Sequence, residues 1–147
     1  MYVRNVSILM LKYIELNEKG EGKIMKTTHD LFDLIHLAEV VTNEAIIQWN
    51  EAFPHPLGIS PILVLGELER SGPQNSMKLA ETLHFTGGAM TNIGNKLVKL
   101  ELVTRESVEG DRRQTQLAIT KAGQDVLEQA RKLGRHQRQE MFEVLTE

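Results

Sequence analysis

Cysteine is absent from the 147 residues of this chain. That excludes thiol-based redox sensing and any zinc site built on thiolates, and it suits a reducing cytosol. No apolar run approaches the roughly 18 residues needed to cross a bilayer. The apolar stretch at 6–16 is too short, and no small-residue cleavage site follows it, so it does not read as a signal peptide. The chain also lacks a glycine-rich phosphate loop and a nucleophile motif. Glu67 and Glu69 stand close in sequence but fall on different sides of a helix. These absences argue against an enzyme, and no cofactor is expected. There is no internal repeat and no low-complexity tract.

Excess positive charge is missing too. The net charge is −3, with 41% hydrophobic and 25% charged residues, which is the composition of one globular domain. The distribution of charge says more than its sum. Residues 28–70 hold Arg70 as their one basic residue against Asp30, Asp33, Glu39, Glu44, Glu51, Glu67 and Glu69. Residues 86–120 hold Lys96, Lys99, Arg105, Arg112 and Arg113 against Glu101, Glu106, Glu109 and Asp111. Any attraction for phosphate must come from a few well-placed side chains, repeated in a dimer.

Helical periodicity begins early. Leu31, Leu34, Ile35, Ala38, Val41, Ala45 and Trp49 form one apolar stripe over 31–53, and Thr27 with Asp30 resembles a capping box. Pro54, Pro56 and Gly58 break the chain. Ser60 with Pro61 predicts a helix start, and Ser71-Gly72-Pro73 its end. Ser76 is the expected cap of a short third helix ending near Leu83, and Thr86 that of a fourth. In the fourth, Met90, Ile93, Leu97 and Leu100 fall inward, with Gly88, Ala89, Thr91, Asn92, Asn95, Lys96 and Lys99 outward. The period then changes to two. Strands are expected over 102–106 and 114–119, with Leu117 and Ile119 on the packed face and Gln116 and Ala118 on the free one. Thr120 caps a last helix whose stripe is Val126, Leu127, Ala130, Leu133, Met141, Phe142 and Leu145, with Gly134 as a weak point or bend.

The stretch 76–123 therefore reads helix, turn, helix, strand, charged loop, strand, helix. A helix-turn-helix followed by a basic hairpin is a device for gripping duplex DNA. The second helix suits the major groove and an arginine-tipped hairpin the narrower one.

In this stretch the chain resembles winged-helix regulators of the MarR family. Asp111 and Arg113 supply an Asp-x-Arg wing, and Ile119, Thr120 and Gly123 match the opening of the helix that follows. The resemblance covers about 31–141. It implies a mostly α fold with a small β-hairpin wing, in which a winged helix-turn-helix lobe (58–120) lies under a helical dimerisation layer (28–53 and 121–147). It also implies a cytoplasmic homodimer, a double-stranded pseudo-palindromic operator, no membrane, and a transcriptional regulator, usually a repressor, that answers to a small-molecule effector. Three departures stand out. Glu101 occupies a place where glycine commonly follows the recognition helix, and a left-handed non-glycine costs about 1 kcal/mol, so a differently built turn is expected. The chain ends where members often continue for another helix, which implies a reduced dimer layer. Residues 1–24 precede the usual start of the 25–147 domain. Either Val6, Leu9, Met10, Tyr13 and Ile14 form a helical face that fills the missing space, or the start codon is misassigned, since residues 20–23 before Ile24-Met25 are what a purine-rich ribosome-binding stretch would encode.

The candidate DNA contacts follow. Arg113 suits the minor groove, held by Asp111, with Arg112 toward phosphate; on an isolated hairpin the same pair is a surface ion pair worth little. Thr86 and the amides of Gly87 and Gly88 favour a phosphate at a helix N-terminus, as against a merely flexible turn. Gly88, Ala89, Thr91, Asn92, Asn95 and Lys96 face the bases: asparagine can pair with adenine, threonine and alanine touch a thymine methyl, and lysine reaches guanine. Ser76 and Lys78 can touch phosphate. His36, Trp49, Phe53 and Ile62 are candidate pocket residues, each equally at home in a core. His29 and His36 share a helical face, but their spacing matches no ligand pattern and no metal site is expected; His84 belongs in the turn. Two other readings remain open: a winged-helix protein-interaction module that never touches DNA, and a metal-sensing regulator.

Overall fold

The computed structural model describes residues 31–108 and 111–143, without the side chains of 31, 33, 34, 37, 108, 111–113 and 141–143. The Thr27–Asp30 capping box, His29, the segment 1–24 and Leu145 lie outside the described residues. These hold five helices and a two-stranded antiparallel hairpin: α1 (Leu31–Ala52), α2 (Ile59–Ser71), α3 (Ser76–Leu83), α4 (Gly87–Lys99), β1 (Val103–Val108), β2 (Asp111–Ile119) and α5 (Lys121–Glu143). The expected mostly α architecture with a β-hairpin is the one observed. Two compact units result, one spanning Phe53–Lys132 and the other combining α1 with α5 from Leu133 onward.

Several boundaries differ from the sequence reading. The α2 helix starts at Ile59 behind Gly58, which makes no side-chain cap, so Ser60 is its second residue and Pro61 its third. Proline is tolerated there because first-turn amides have no helical partner. The end at Ser71 is as expected, with Gly72 at φ +77°. The cap of α3 is Asn75, whose side chain accepts from the Lys78 amide at 2.8 Å, and Ser76 is the first helical residue. Asparagine is at least as good a cap as serine, so the signal was misplaced by one position. The α5 helix passes through Gly134 without a break. Ala118 is buried, so near its base the hairpin is covered on both faces.

The core of the Phe53–Lys132 unit is Val64, Leu65 and Leu68 from α2, Leu79 from α3, Met90 and Leu97 from α4, and Val103, Leu117 and Leu127 around them. Each such side chain stabilises by about 1.5–3 kcal/mol on burial. Gln74 pairs with Leu117 through two backbone hydrogen bonds of 3.1 and 2.8 Å, so the α2–α3 connection adds a one-residue rung to the hairpin. Arg131 on α5 pairs with Glu69 on α2, and the His55 ring lies 3.0 Å from the Gln129 amide oxygen.

In the other unit, Trp49 is buried, whereas Phe32 is 74% exposed, with Ile35, Ile46 and Ile47 exposed as well. Of the predicted α1 stripe, among the described side chains, Trp49 is buried, Val41 and Ala45 are half-buried, and Ile35 and Ala38 are exposed.

The junction of hairpin and α5 explains the Thr120-x-x-Gly123 spacing. The Thr120 hydroxyl accepts from the Gly123 amide at 3.0 Å, capping α5, and donates to the Glu101 carbonyl at 2.8 Å. The Thr120 amide donates to the Leu102 carbonyl at 3.0 Å. That carbonyl leaves no room at Gly123, where a Cβ would lie 2.2 Å from the oxygen and 2.8 Å from the Ile119 side chain. Gly123→Ala is expected to cost roughly 2–3 kcal/mol in urea unfolding, because backbone must move to admit one methyl.

Glu67, near the end of α2, is buried yet charged. Its carboxylate accepts from Arg70, from the Ser71 hydroxyl at 2.8 Å and from the Gln74 side chain, whose own Oε1 is left buried without a partner. The Arg70 bond, then the Ser71 bond, hold this carboxyl below the usual carboxylate range. A lowered folded value means the contribution is present above the unfolded value and lost as pH falls, from roughly pH 5 downward. Glu67→Gln should flatten the acid limb of a stability-versus-pH curve; an unchanged slope would show that Glu67 does not set it.

Candidate nucleic-acid interface

The α4 helix is built to show one face. Thr86, in extended conformation, accepts from the Ala89 amide at 3.2 Å and starts the helix as expected. Met90 and Leu97 are buried, and Ile93 and Leu100 half-buried. Gly88, Ala89, Thr91, Asn92, Asn95, Lys96 and Lys99 are all exposed, as their positions required. Gly87 and Gly88 are the first two residues of α4 rather than a loose turn, with open space where side chains would stand. The Thr91 hydroxyl donates to the Gly87 carbonyl at 2.9 Å, which leaves its lone pairs and methyl as what it can offer a partner.

The α3 and α4 helices each end in a tight, left-handed turn. His84 ends α3 at φ 56°, ψ 38°. The Phe85 amide returns to the Ala80 carbonyl at 2.9 Å and the His84 amide to Glu81 at 3.4 Å, the hydrogen-bond pair of a Schellman motif. Glu101 repeats the device after α4. It sits at φ 58°, with its amide bonded to Val98 and the Leu102 amide to Leu97 at 3.0 Å. The turn is thus the ordinary left-handed one, built without glycine. Burial of Leu97 with Leu102 and the Thr120 bond to the Glu101 carbonyl offset the left-handed cost.

Gly94, in the middle of α4, is buried. A Cβ there would meet Leu117 Cδ1 at 3.3 Å, so its bare face is what lets β2 close on α4. Across the ladder from Leu117 stands Arg105, whose guanidinium donates to Asn95 Oδ1. This pair ties hairpin to helix. Its sequence signal is absent, because the face on which Arg105 stands is known only once the strand register is known.

Ser76 and Lys78 open α3, both exposed. Lys78, Lys96, Lys99 and Arg105 are the exposed cations of these elements among the described residues. Asp111, Arg112 and Arg113 form the start of β2, where Asp111 is opposite Val108 across an irregularity in register. Their side chains lie outside the described residues, and so does the Asp111–Arg113 pair.

His36 is exposed on α1 and Trp49 is buried on it, Phe53 is buried against the His55 ring at 5.1 Å, and Ile62 is half-buried on α2. None of them lines the open groove of about 300 Å³ between Gln48, Glu51 and Ala52 of α1 and Leu133, His136, Gln137 and Glu140 of α5. Among the described residues no three histidine or carboxylate side chains converge as a metal site would require.

Residues 55–114, which include α2, α3, α4 and β1, match the MarR family model. The chain is 28% identical over 101 residues to the HTH-type transcriptional regulator YpoP of Bacillus subtilis, covering 69% of this chain and 72% of that protein. Its fold is shared by the transcriptional regulator BldR of Sulfolobus solfataricus (TM-score 0.71, 24% identity, 81% of this chain and 86% of that one). The apo form of MarR from Escherichia coli is similar to the same degree (TM-score 0.69, 24% identity, 80% and 85%). Members of this family regulate transcription and are not enzymes. The family model thus matches the helix-turn-helix, and the fold around it is that of MarR-type winged helix-turn-helix transcriptional regulators, to which the chain is similar.

Proposed function

We propose that the protein acts as a cytoplasmic homodimer that binds a pseudo-palindromic operator and represses transcription until a small-molecule effector changes the spacing of its two lobes. The observation that carries this reading is the outward face of α4. Seven small, polar or basic residues stand exposed on a helix whose other side is locked into a core. Such a face offers donors, acceptors and methyls to base edges while its backbone stays fixed.

Thr86 and the free amides at the start of α4 meet a phosphate, as do Ser76 and Lys78 at the start of α3. Arg113 enters the minor groove with Asp111 orienting it, and Arg112 meets the backbone. The exposed Phe32, Ile35, Ile46 and Ile47 of α1 support a second copy as the cover for that helix. Two recognition helices must stand roughly 34 Å apart to enter successive major grooves on one side of the duplex, so an effector need shift them little to weaken both contacts. Repression is the action named for the multiple antibiotic resistance repressor, a structural relative. The groove beside His136 and the pocket candidates His36, Trp49, Phe53 and Ile62 are the places to look for an effector.

The test uses duplexes selected by the protein from a random-sequence pool. Arg113→Ala should weaken binding at least about tenfold while sedimentation still reports a dimer, and wild-type affinity should fall by orders of magnitude from low to moderate salt. Unchanged affinity would remove Arg113 from the interface. A flat salt dependence would favour a protein-interaction module.

A further inference from the structure

The Arg105–Asn95 pair decides more than the fit of hairpin to helix. Resting on the reading of α4 as the base-contacting helix, we propose that Arg105 is a specificity-determining positioning residue: it makes Asn95 read chiefly through its two donors, which favours a keto base, guanine or thymine, over adenine and cytosine.

The argument starts from what each group can do. An asparagine amide carries an acceptor and two donors, and free to turn it pairs with adenine, accepting from N6 and donating to N7. A guanidinium has donors alone, so the amide facing it must present its oxygen. The orientation that is usually a matter of assignment is here set by chemistry. In the structure Arg105 Nη2 donates to Asn95 Oδ1. Oδ1 keeps a second lone pair, but a cation already draws on that oxygen, so what the amide offers a base most strongly is its two hydrogens. Those match O6 and N7 of guanine or O4 of thymine, whereas adenine and cytosine place an amine where an acceptor is needed.

The packing explains why the pair forms at all. Leu117 lies against Gly94, the residue beside Asn95. Arg105 is the ladder partner of Leu117, and opposed residues of an antiparallel pair point to the same face. The contact that seats the hairpin therefore delivers Arg105 to Asn95. Both side chains are exposed, on the side of α4 that also bears Asn92 and Lys96.

The test measures affinity for every single-base change in a duplex selected by the wild-type protein from a random pool. Asn95→Ala locates the position it reads, by erasing preference there. At that position wild type should prefer a keto base. Arg105→Met keeps the stem and removes the donors, and should shift the keto-to-amino ratio about tenfold toward adenine. That shift should vanish when Asn95→Ala is already present, and the salt slope should stay the same. Three results would overturn the proposal: an adenine preference in wild type, an unaltered base profile in Arg105→Met, or a uniform loss of affinity with the salt slope reduced by about one, which marks a phosphate contact. Both residues are exposed, and matching urea curves would show that the variants fold. If wild type selects no sequence from the pool, the DNA-binding reading itself fails; if it selects one and the profile ignores Arg105, this proposal alone fails.

Discussion

The Leu102 carbonyl is where three elements meet. It accepts from Thr120 and sits against the bare Cα of Gly123, while the Leu102 amide reaches back to Leu97 in α4. The exit from α4, the base of β1 and the first turn of α5 thus share one residue. A second seam, Gly94 against Leu117, closes the hairpin on the middle of α4, and Gln74 ties the same leucine to the start of α3. These contacts involve backbone or missing side chains, which cannot rotate away. The exposed face of α4 inherits that rigidity. The base recognition proposed for that face would depend on it, since a reading side chain helps only if its helix holds still.

Strain is accepted where this seam demands it. Both helices of the helix-turn-helix end in left-handed residues, His84 and Glu101, neither of them glycine. Each costs about 1–2 kcal/mol locally. At Glu101 the offset is visible in two amide–carbonyl bonds back into α4 and in the Thr120 hydroxyl on its carbonyl. The same threonine caps α5, so one side chain serves two chain reversals. The Thr120-to-Gly123 spacing is thus explained by sterics and hydrogen bonding at this junction, before any DNA is considered.

The outward face of α4 was legible from periodicity and one cap, because a helix with Thr86 ahead and apolar residues at Met90, Ile93 and Leu97 has one register. The caps of α2 and α3 were misread by one or two positions, since Ser60 and Ser76 carry a capping side chain yet sit inside helices started by Gly58 and Asn75. Glu101 misled for an energetic reason: local propensity opposes a left-handed glutamate, and bonds to residues distant in sequence override it. Gly94 and Arg105 were illegible in principle. A glycine in a helix reads as weakness until the leucine that rests on it is known, and a strand arginine has no face until its register is fixed. The apolar surface of α1 was visible as a stripe, but the stripe alone does not say what covers it.

If the hairpin base, α4 and the start of α5 form one cooperative block, their amides must open together. Native-state hydrogen exchange of the Leu102, Leu117, Thr120 and Gln124 amides tests this most directly. The account predicts that they exchange at the free energy of global unfolding, alongside the Leu97 amide in α4. Exchange of the hairpin-base amides through a separate, lower-energy opening while α4 stays protected would contradict it.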